Sequence, residues 1–265
     1  MPAPSLRARH VRLSMALLGL AALASAGARA DIYDDAVAHA GRPAADLKRD
    51  PIDHPAEILR LAGIKPGMRV GDFMAANGYY SELLSYLVGP TGHVLMINNA
   101  AYDYWSPEWP KRVAGNRLPN VEHMTLDLQH LNLPDHSLDA ALLIKVYHDL
   151  YVYDPKDPVW PKMDPQKVLS EIARVLKPGG VLLLVDHSAR PGSGTSDTYA
   201  LHRIEEAYAR SDFEKHGFVV VASSQVLRRP DDPRDQISYR GPMLGKTDRF
   251  VLVFRKQGVR RSALH

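Results

Sequence analysis

Lys145, His148 and Asp149 fall within five residues of one another. Asp186 and His187 are adjacent, and His202 and Arg203 follow after a short polar stretch. Imidazole is the side chain best able to take and return a proton near neutral pH, and a neighbouring carboxylate sets its tautomer. His148, Asp149, His187 and His202 are therefore the candidate catalytic residues, with His148 or His187 as general base. The same imidazole and carboxylate set is of the type that holds a metal ion. Here the set is expected to transfer protons, and no metal is expected. Arg190 and Arg203 could clamp an acidic substrate, whereas Arg228 and Arg229 read as a solvated charged face.

These residues act together only if the chain brings them to one edge. Residues 53–62 read as a helix, with Asp53 and Pro55 at its start and Gly63 at its end. Residues 68–73, 93–97, 121–126, 138–144 and 181–185 read as strands, the last two continuously apolar as in a buried parallel sheet. Helices are expected over 78–88, from Asp164 to about Leu176, and over 204–216. Two final strands are expected at 218–227 and 249–255. This alternation predicts one α/β domain with a parallel sheet covered on both faces. In such sheets ligands bind beyond the carboxyl ends of the strands, where Lys145, His148, Asp186 and His187 all fall. Two stretches, 102–120 and 151–164, are rich in proline and aromatic residues and carry no regular pattern; both are candidate lid loops.

Residues 68–80 form a strand ending in Asp72, then a turn that opens a helix. This resembles the first motif of class I S-adenosylmethionine (SAM)-dependent methyltransferases. Residues 133–144 resemble the family's fourth-strand motif, and residues 168–186, with Lys177 to Gly180 at their centre, its helix–turn–fifth-strand block. Residues 147–151, 186–194 and 202–204 are similar to a small exported bacterial branch of predicted methyltransferases. The resemblance implies a Rossmann-like, doubly wound, seven-stranded, mostly parallel sheet with an antiparallel C-terminal strand pair. It implies SAM as cofactor, held by Asp72, Met74, Ala76, Gly78, Asn98, Asp127 and Lys145. The chain departs from the family pattern in three places. Met74 and Ala76 replace glycines, and Asn98 stands where the family has an acid for the ribose hydroxyls. An amide lacks that charge, so a carboxylate at position 98 is expected to bind ribose better. Methyl transfer to oxygen or nitrogen needs a deprotonated nucleophile, which gives the histidine base its task.

The chain has 33 Lys and Arg against 30 Asp and Glu. Arg7, Arg9, Arg12 and Arg29 lie in a first segment without acidic residues, and setting them aside leaves 29 against 30. The remainder therefore carries no electrostatic case for nucleic acid. Residues 1–30 combine a basic start, an apolar run over 13–24 and an Ala28–Arg29–Ala30 cleavage signal. They read as a secretory signal peptide followed by a single domain over 31–265, periplasmic or secreted, with no stable membrane insertion after cleavage. The chain has no cysteine, which excludes disulfides, thiolate metal sites and a cysteine nucleophile. The expected function is SAM-dependent methylation of a small molecule or an envelope component. The alternative is a non-catalytic exported binding protein with a degenerate methyltransferase fold, taking another ligand or a metal at the histidine edge.

Overall fold

The computed structural model describes Met1 and residues 31–258; the signal-peptide reading falls on residues outside that range. In chain order the elements are α1 (Ile32–Val37), α2 (Ala44–Asp53), α3 (Pro55–Ala62), β1 (Arg69–Phe73), α4 (Tyr79–Val88), β2 (His93–Asn98), α5 (Ala100–Trp105), α6 (Trp109–Val113), β3 (Val121–Thr125), β4 (Leu138–Ile144), α7 (Pro165–Val175), β5 (Leu176–His187), α8 (Thr198–Leu201), α9 (Glu206–Lys215), β6 (Phe218–Ser224) and β7 (Arg249–Lys256). The seven strands form one sheet in the order β3-β2-β1-β4-β5-β7-β6. All pairs are parallel except those of β7 with β5 and with β6. This is the α/β architecture that the strand pattern predicts, and the Rossmann-like sheet with an antiparallel C-terminal pair that the resemblance implies.

Alternation along each strand builds a core on both faces. Leu95 and Ile97 of β2, with Leu182 and Leu184 of β5, face one cluster with Phe213 and Phe254. Val94, Leu183 and Val185 face the other with Ile58, Leu83 and Leu84. The chain order reverses between β1 and β4, which leaves a crevice at their carboxyl ends. Among the described residues, no helix is long and apolar enough to cross a membrane.

Several elements differ from the sequence expectation for local reasons. The stretch 102–120 contains helices, α5 being started by the Asn99 side chain, which accepts from the Tyr102 amide at 2.8 Å. The helix expected from residue 204 starts at Glu206, because Ile204 is still paired beside β5, its amide donating to the His187 carbonyl. The strand expected to reach residue 227 ends at Ser224, whose hydroxyl accepts from the Val226 amide and turns the chain. Asp53 does not cap α3. It closes α2, and its buried carboxylate is spent elsewhere.

Candidate active site

Two cavities adjoin at the carboxyl ends of β1, β4 and β5. The smaller, about 240 Å³, is lined by Asp72, the 73–76 loop, Arg49, Tyr79, Tyr80, Tyr102 and Lys145 among others. The larger, about 710 Å³, contains His148, Asp149, His187 and His202 in a wall completed by Trp105, Trp160, Tyr199 and Tyr239. Tyr102 and Lys145 belong to both, so the small cleft and the large chamber share a partition. Both patternless stretches contribute to the chamber wall, through Trp105 and Trp160.

The turn after β1 has positive φ at Met74 (51°), Ala76 (53°) and Gly78 (74°). Only the last position suits a glycine-free alternative poorly for steric reasons as well: a Cβ on Gly78 would lie 2.8 Å from the Met96 sulfur. Met74 does not obstruct the cleft in the manner its size suggests. It is 2% exposed and packs in the core cluster with Phe73 and Ile97. Asp72 is buried at the cleft floor and accepts a hydrogen bond from Ser81 at 2.6 Å. Burial pushes its carboxyl up to about 6, and the Ser81 hydrogen bond only partly offsets this.

Asn98 is fully buried, and its amide is occupied by protein. Its oxygen accepts from the Ala76 amide at 3.0 Å, and its nitrogen donates to the Ala76 carbonyl at 3.1 Å and to Asp103 at 2.8 Å. This corrects the expectation of a ribose-facing group: the side chain clamps the turn of the first motif instead. A carboxylate could not make the two donations, so the expected gain from Asn98→Asp has no structural basis. Asp127 is exposed, accepts from the Gln129 amide and pairs with His130, and lines neither cavity.

Lys145 has φ 61° and donates to Asp53 at 3.0 Å. Asp53 also pairs with Arg49 and Arg249. Burial, then the neighbouring Arg49, lowers the Lys145 amine to about 8, with Asp53 opposing. This cation cluster around one carboxylate was not legible in sequence, because its members come from α2, the turn after β4, and β7.

The histidine edge is real as a cluster. His148 stands in a 3-10 turn directly after β4 and presents Nδ1 to Asp186 Oδ1 at 2.7 Å, while its backbone amide donates to Asp186 Oδ2 at 2.9 Å. On its other side, Nε2 lies 3.2 Å from Asp149 Oδ1 and 3.3 Å from His202 Nδ1. Burial opposes a charge on His148, but Asp149 and Asp186 prevail and raise it to about 10. Asp149 is held well below the carboxylate range despite its burial, chiefly by His148. His187 is driven the opposite way, well below its ordinary value, by burial and by His148 and Lys145. Its Nδ1 meets the Thr247 hydroxyl at 2.8 Å. Tyr102 was unassigned in sequence, yet its hydroxyl donates to Asp149 Oδ2 at 2.6 Å.

Arg203 is not a substrate clamp. It is fully buried, pairs with Asp232 at 2.8 Å and donates to the Ser188 and Gln236 carbonyls. It thereby ties residues 232–236 to the end of β5. Arg190 pairs with Asp197.

The sheet and its switch-point cleft define a Rossmann-like protein of methyltransferase architecture. More particularly, residues 77–184 match the family model described as Methyltransferase domain. The ubiquinone/menaquinone biosynthesis C-methyltransferase UbiE of Vibrio cholerae is 28% identical over 149 residues, 54% of this chain and 52% of that protein. That of Pseudomonas putida is 30% identical over 173 residues, 64% of this chain and 59% of the relative. The chain spans about half the length of the first of these relatives. Among solved structures, a SAM-dependent methyltransferase from Aquifex aeolicus superposes with TM-score 0.57 at 22% identity, covering 78% of this chain and 92% of that one. The cyclase SpnF superposes with TM-score 0.58 at 17% identity, covering 81% and 82%. These two likenesses are of fold.

Proposed function

We propose that this protein is a SAM-dependent methyltransferase of the exported branch, acting on a small molecule or an envelope component outside the cytoplasm. The observation that carries the reading is the cleft between β1 and β4, adjoining across Tyr102 and Lys145 an aromatic chamber edged by three histidines. The matched Methyltransferase domain and the C-methyltransferase relatives support the methyltransferase part of this reading.

The cleft fits the amino-acid end of SAM: Arg49 and Lys145 offer donors to a carboxylate, and Asp72 offers an acceptor to an ammonium. When bound, SAM supplies an electrophilic methyl group on its sulfonium. The chamber walls, Trp105, Trp160, Tyr199 and Tyr239, give an apolar face to a substrate and exclude water. His187 is uncharged at neutral pH and lines the chamber, so the base role falls to it. His148 already carries its proton there, so it holds Asp149 and Asp186 in place and cannot accept another. The export reading rests on the basic, apolar and Ala28–Arg29–Ala30 pattern, and Asp31 would begin the mature chain.

Calorimetry of the purified chain with SAM tests the central claim, with Arg49→Ala and Asp72→Ala expected to weaken binding at least tenfold. Absence of SAM binding to the wild type overturns it. The binding-protein reading has one observation in its favour, the inward-turned Asn98 with no carboxylate freed for the ribose. It predicts that SAM fails to bind while a small molecule still enters the chamber. N-terminal sequencing from the native envelope tests export: a start at Asp31 supports it, and an intact Met1 in the soluble cytoplasmic fraction removes it.

A further inference from the structure

We propose that His148, Asp149 and His202 form a binding site for a single divalent first-row transition-metal ion in the wall of the large chamber. The three facing atoms make a nearly equilateral triangle. His148 Nε2 is 3.2 Å from Asp149 Oδ1, His148 Nε2 is 3.3 Å from His202 Nδ1, and His202 Nδ1 is 3.3 Å from Asp149 Oδ1. An ion about 2.1 Å from each of three donors separates them by about 3.0 Å if they are at right angles and about 3.4 Å if tetrahedral. The observed edges lie between those limits. Two imidazoles and one carboxylate on one face, with the remaining positions open, is a donor set that suits zinc, iron or cobalt.

A second set of contacts orients the donors. Asp186 takes the Nδ1 proton of His148, so the ion displaces only the proton on Nε2, whose lone pair then faces the triangle and which is released to solvent on binding. Tyr102 holds Asp149 Oδ2, which leaves Oδ1 facing the same point. The His202 ring packs edge-on against Tyr239 at 4.6 Å, and its backbone sits at φ 50°, a conformation rare for a residue with a side chain. That strained backbone is fixed by the His202 amide donating to the Thr198 carbonyl and by Ser238 donating to the His202 carbonyl. All three ligands also line the 710 Å³ chamber, so open coordination positions meet whatever occupies it. An oxygen-bearing substrate would be oriented there by the ion.

The site stands apart from the SAM reading, and its test contains no SAM. The full chain is stripped with a chelator, dialysed and titrated with Zn²⁺ in a calorimeter, and separately with Co²⁺ while visible absorption is recorded. The expected result is one equivalent of Zn²⁺ and intense Co²⁺ bands of a site with low coordination number. Zn²⁺ should also raise the melting temperature. His202→Ala and Asp149→Asn should abolish stoichiometric binding, and Tyr102→Phe should weaken it roughly 10- to 100-fold. His130→Ala, at an exposed histidine beside Asp127, should leave it unchanged. Should the ligand variants fail to fold, the Co²⁺ spectrum of the wild type still decides. Failure of the wild type to bind either ion, a Co²⁺ spectrum of the hydrated ion alone, or undiminished binding in folded His202→Ala overturns the proposal. The triangle is then a hydrogen-bonded proton site, and the SAM reading is untouched.

Discussion

At the scale of single residues, identity predicts less than the contact a residue makes. Met74 and Ala76 both stand at positive φ, a conformation that favours glycine, yet substituting glycine should act differently at each. Ala76→Gly relieves backbone strain of ~1–2 kcal/mol and adds a similar flexibility cost to folding, so stability should stay within ~1 kcal/mol. Met74→Gly also empties a core position, and large-to-small core changes cost ~2–5 kcal/mol. Paired thermal melts check both. Asn98→Asp should destabilise by on the order of 3 kcal/mol, because a buried carboxylate would face Asp103 and leave the Ala76 carbonyl without its donor. Calorimetry of that variant should show weaker SAM binding; tighter binding would put the side chain back in the cleft. Asp72 gives a pH dependence. Its carboxyl titrates near 6 when folded and near the ordinary 3.8 when unfolded, so the folded state holds the proton more tightly. Its contribution is complete below about 3.8 and is lost as pH rises through about 6. The stability of Asp72→Asn relative to wild type should therefore rise by about 2–3 kcal/mol between pH 3.5 and 7.5, as read from denaturant midpoints. A flat difference would mean that the carboxyl is solvated.

At the scale of elements, the turn between β1 and α4 is held from both sides. Gly78 starts the helix at φ 74° with Met96 behind it, and Asn98 at the end of β2 grips Ala76. Gly78→Ala should cost ~1–3 kcal/mol, since the added carbon meets the Met96 sulfur and the backbone conformation disfavours it. Chemical denaturation checks this, and Gly78→Ala combined with Met96→Ala should recover part of the loss if the steric contact dominates. The aromatic stretches illustrate how helices can form without a sequence period. Elements as short as α5 and α6 span too few residues to display one, and capping by Asn99 with Pro110 in the first turn decides them.

For the whole molecule, one carboxylate joins three distant segments. Asp53 pairs with Arg49 of its own helix, with Lys145 after β4 and with Arg249 of β7. Asp53→Asn should cost ~3–5 kcal/mol and lower the melting temperature sharply, because Arg49, Lys145 and Arg249 lose the counter-charge they share. It should also lower the Lys145 amine below about 8, since the Asp53 charge opposes its other surroundings. Amine titration by NMR would read the second effect. The positions of the strands along the chain were legible because burial on both faces of a parallel sheet demands continuous apolar segments, as at 138–144 and 181–185. The convergence of His148, His187 and His202 on one edge was legible too, since connection rules put the ends of β4 and β5 side by side. Side-chain direction was not. Asn98 and Arg203 turn inward because neighbours remote in sequence, Ala76 and Asp103 for one and Asp232 and Ser188 for the other, satisfy polar groups that burial would otherwise leave unpaired. Tyr102 reaches Asp149 across 47 positions, and the charges on His148 and His187 diverge because burial, reinforced by neighbouring cations, keeps His187 neutral, whereas two carboxylates overcome burial at His148. By itself, then, the amino-acid order determined the layered sheet and the edge where chemistry could occur, through local patterns of burial and turn. Only the tertiary structure decided which polar atoms face the cleft, because hydrogen bonding and desolvation depend on partners that come together after the chain has folded.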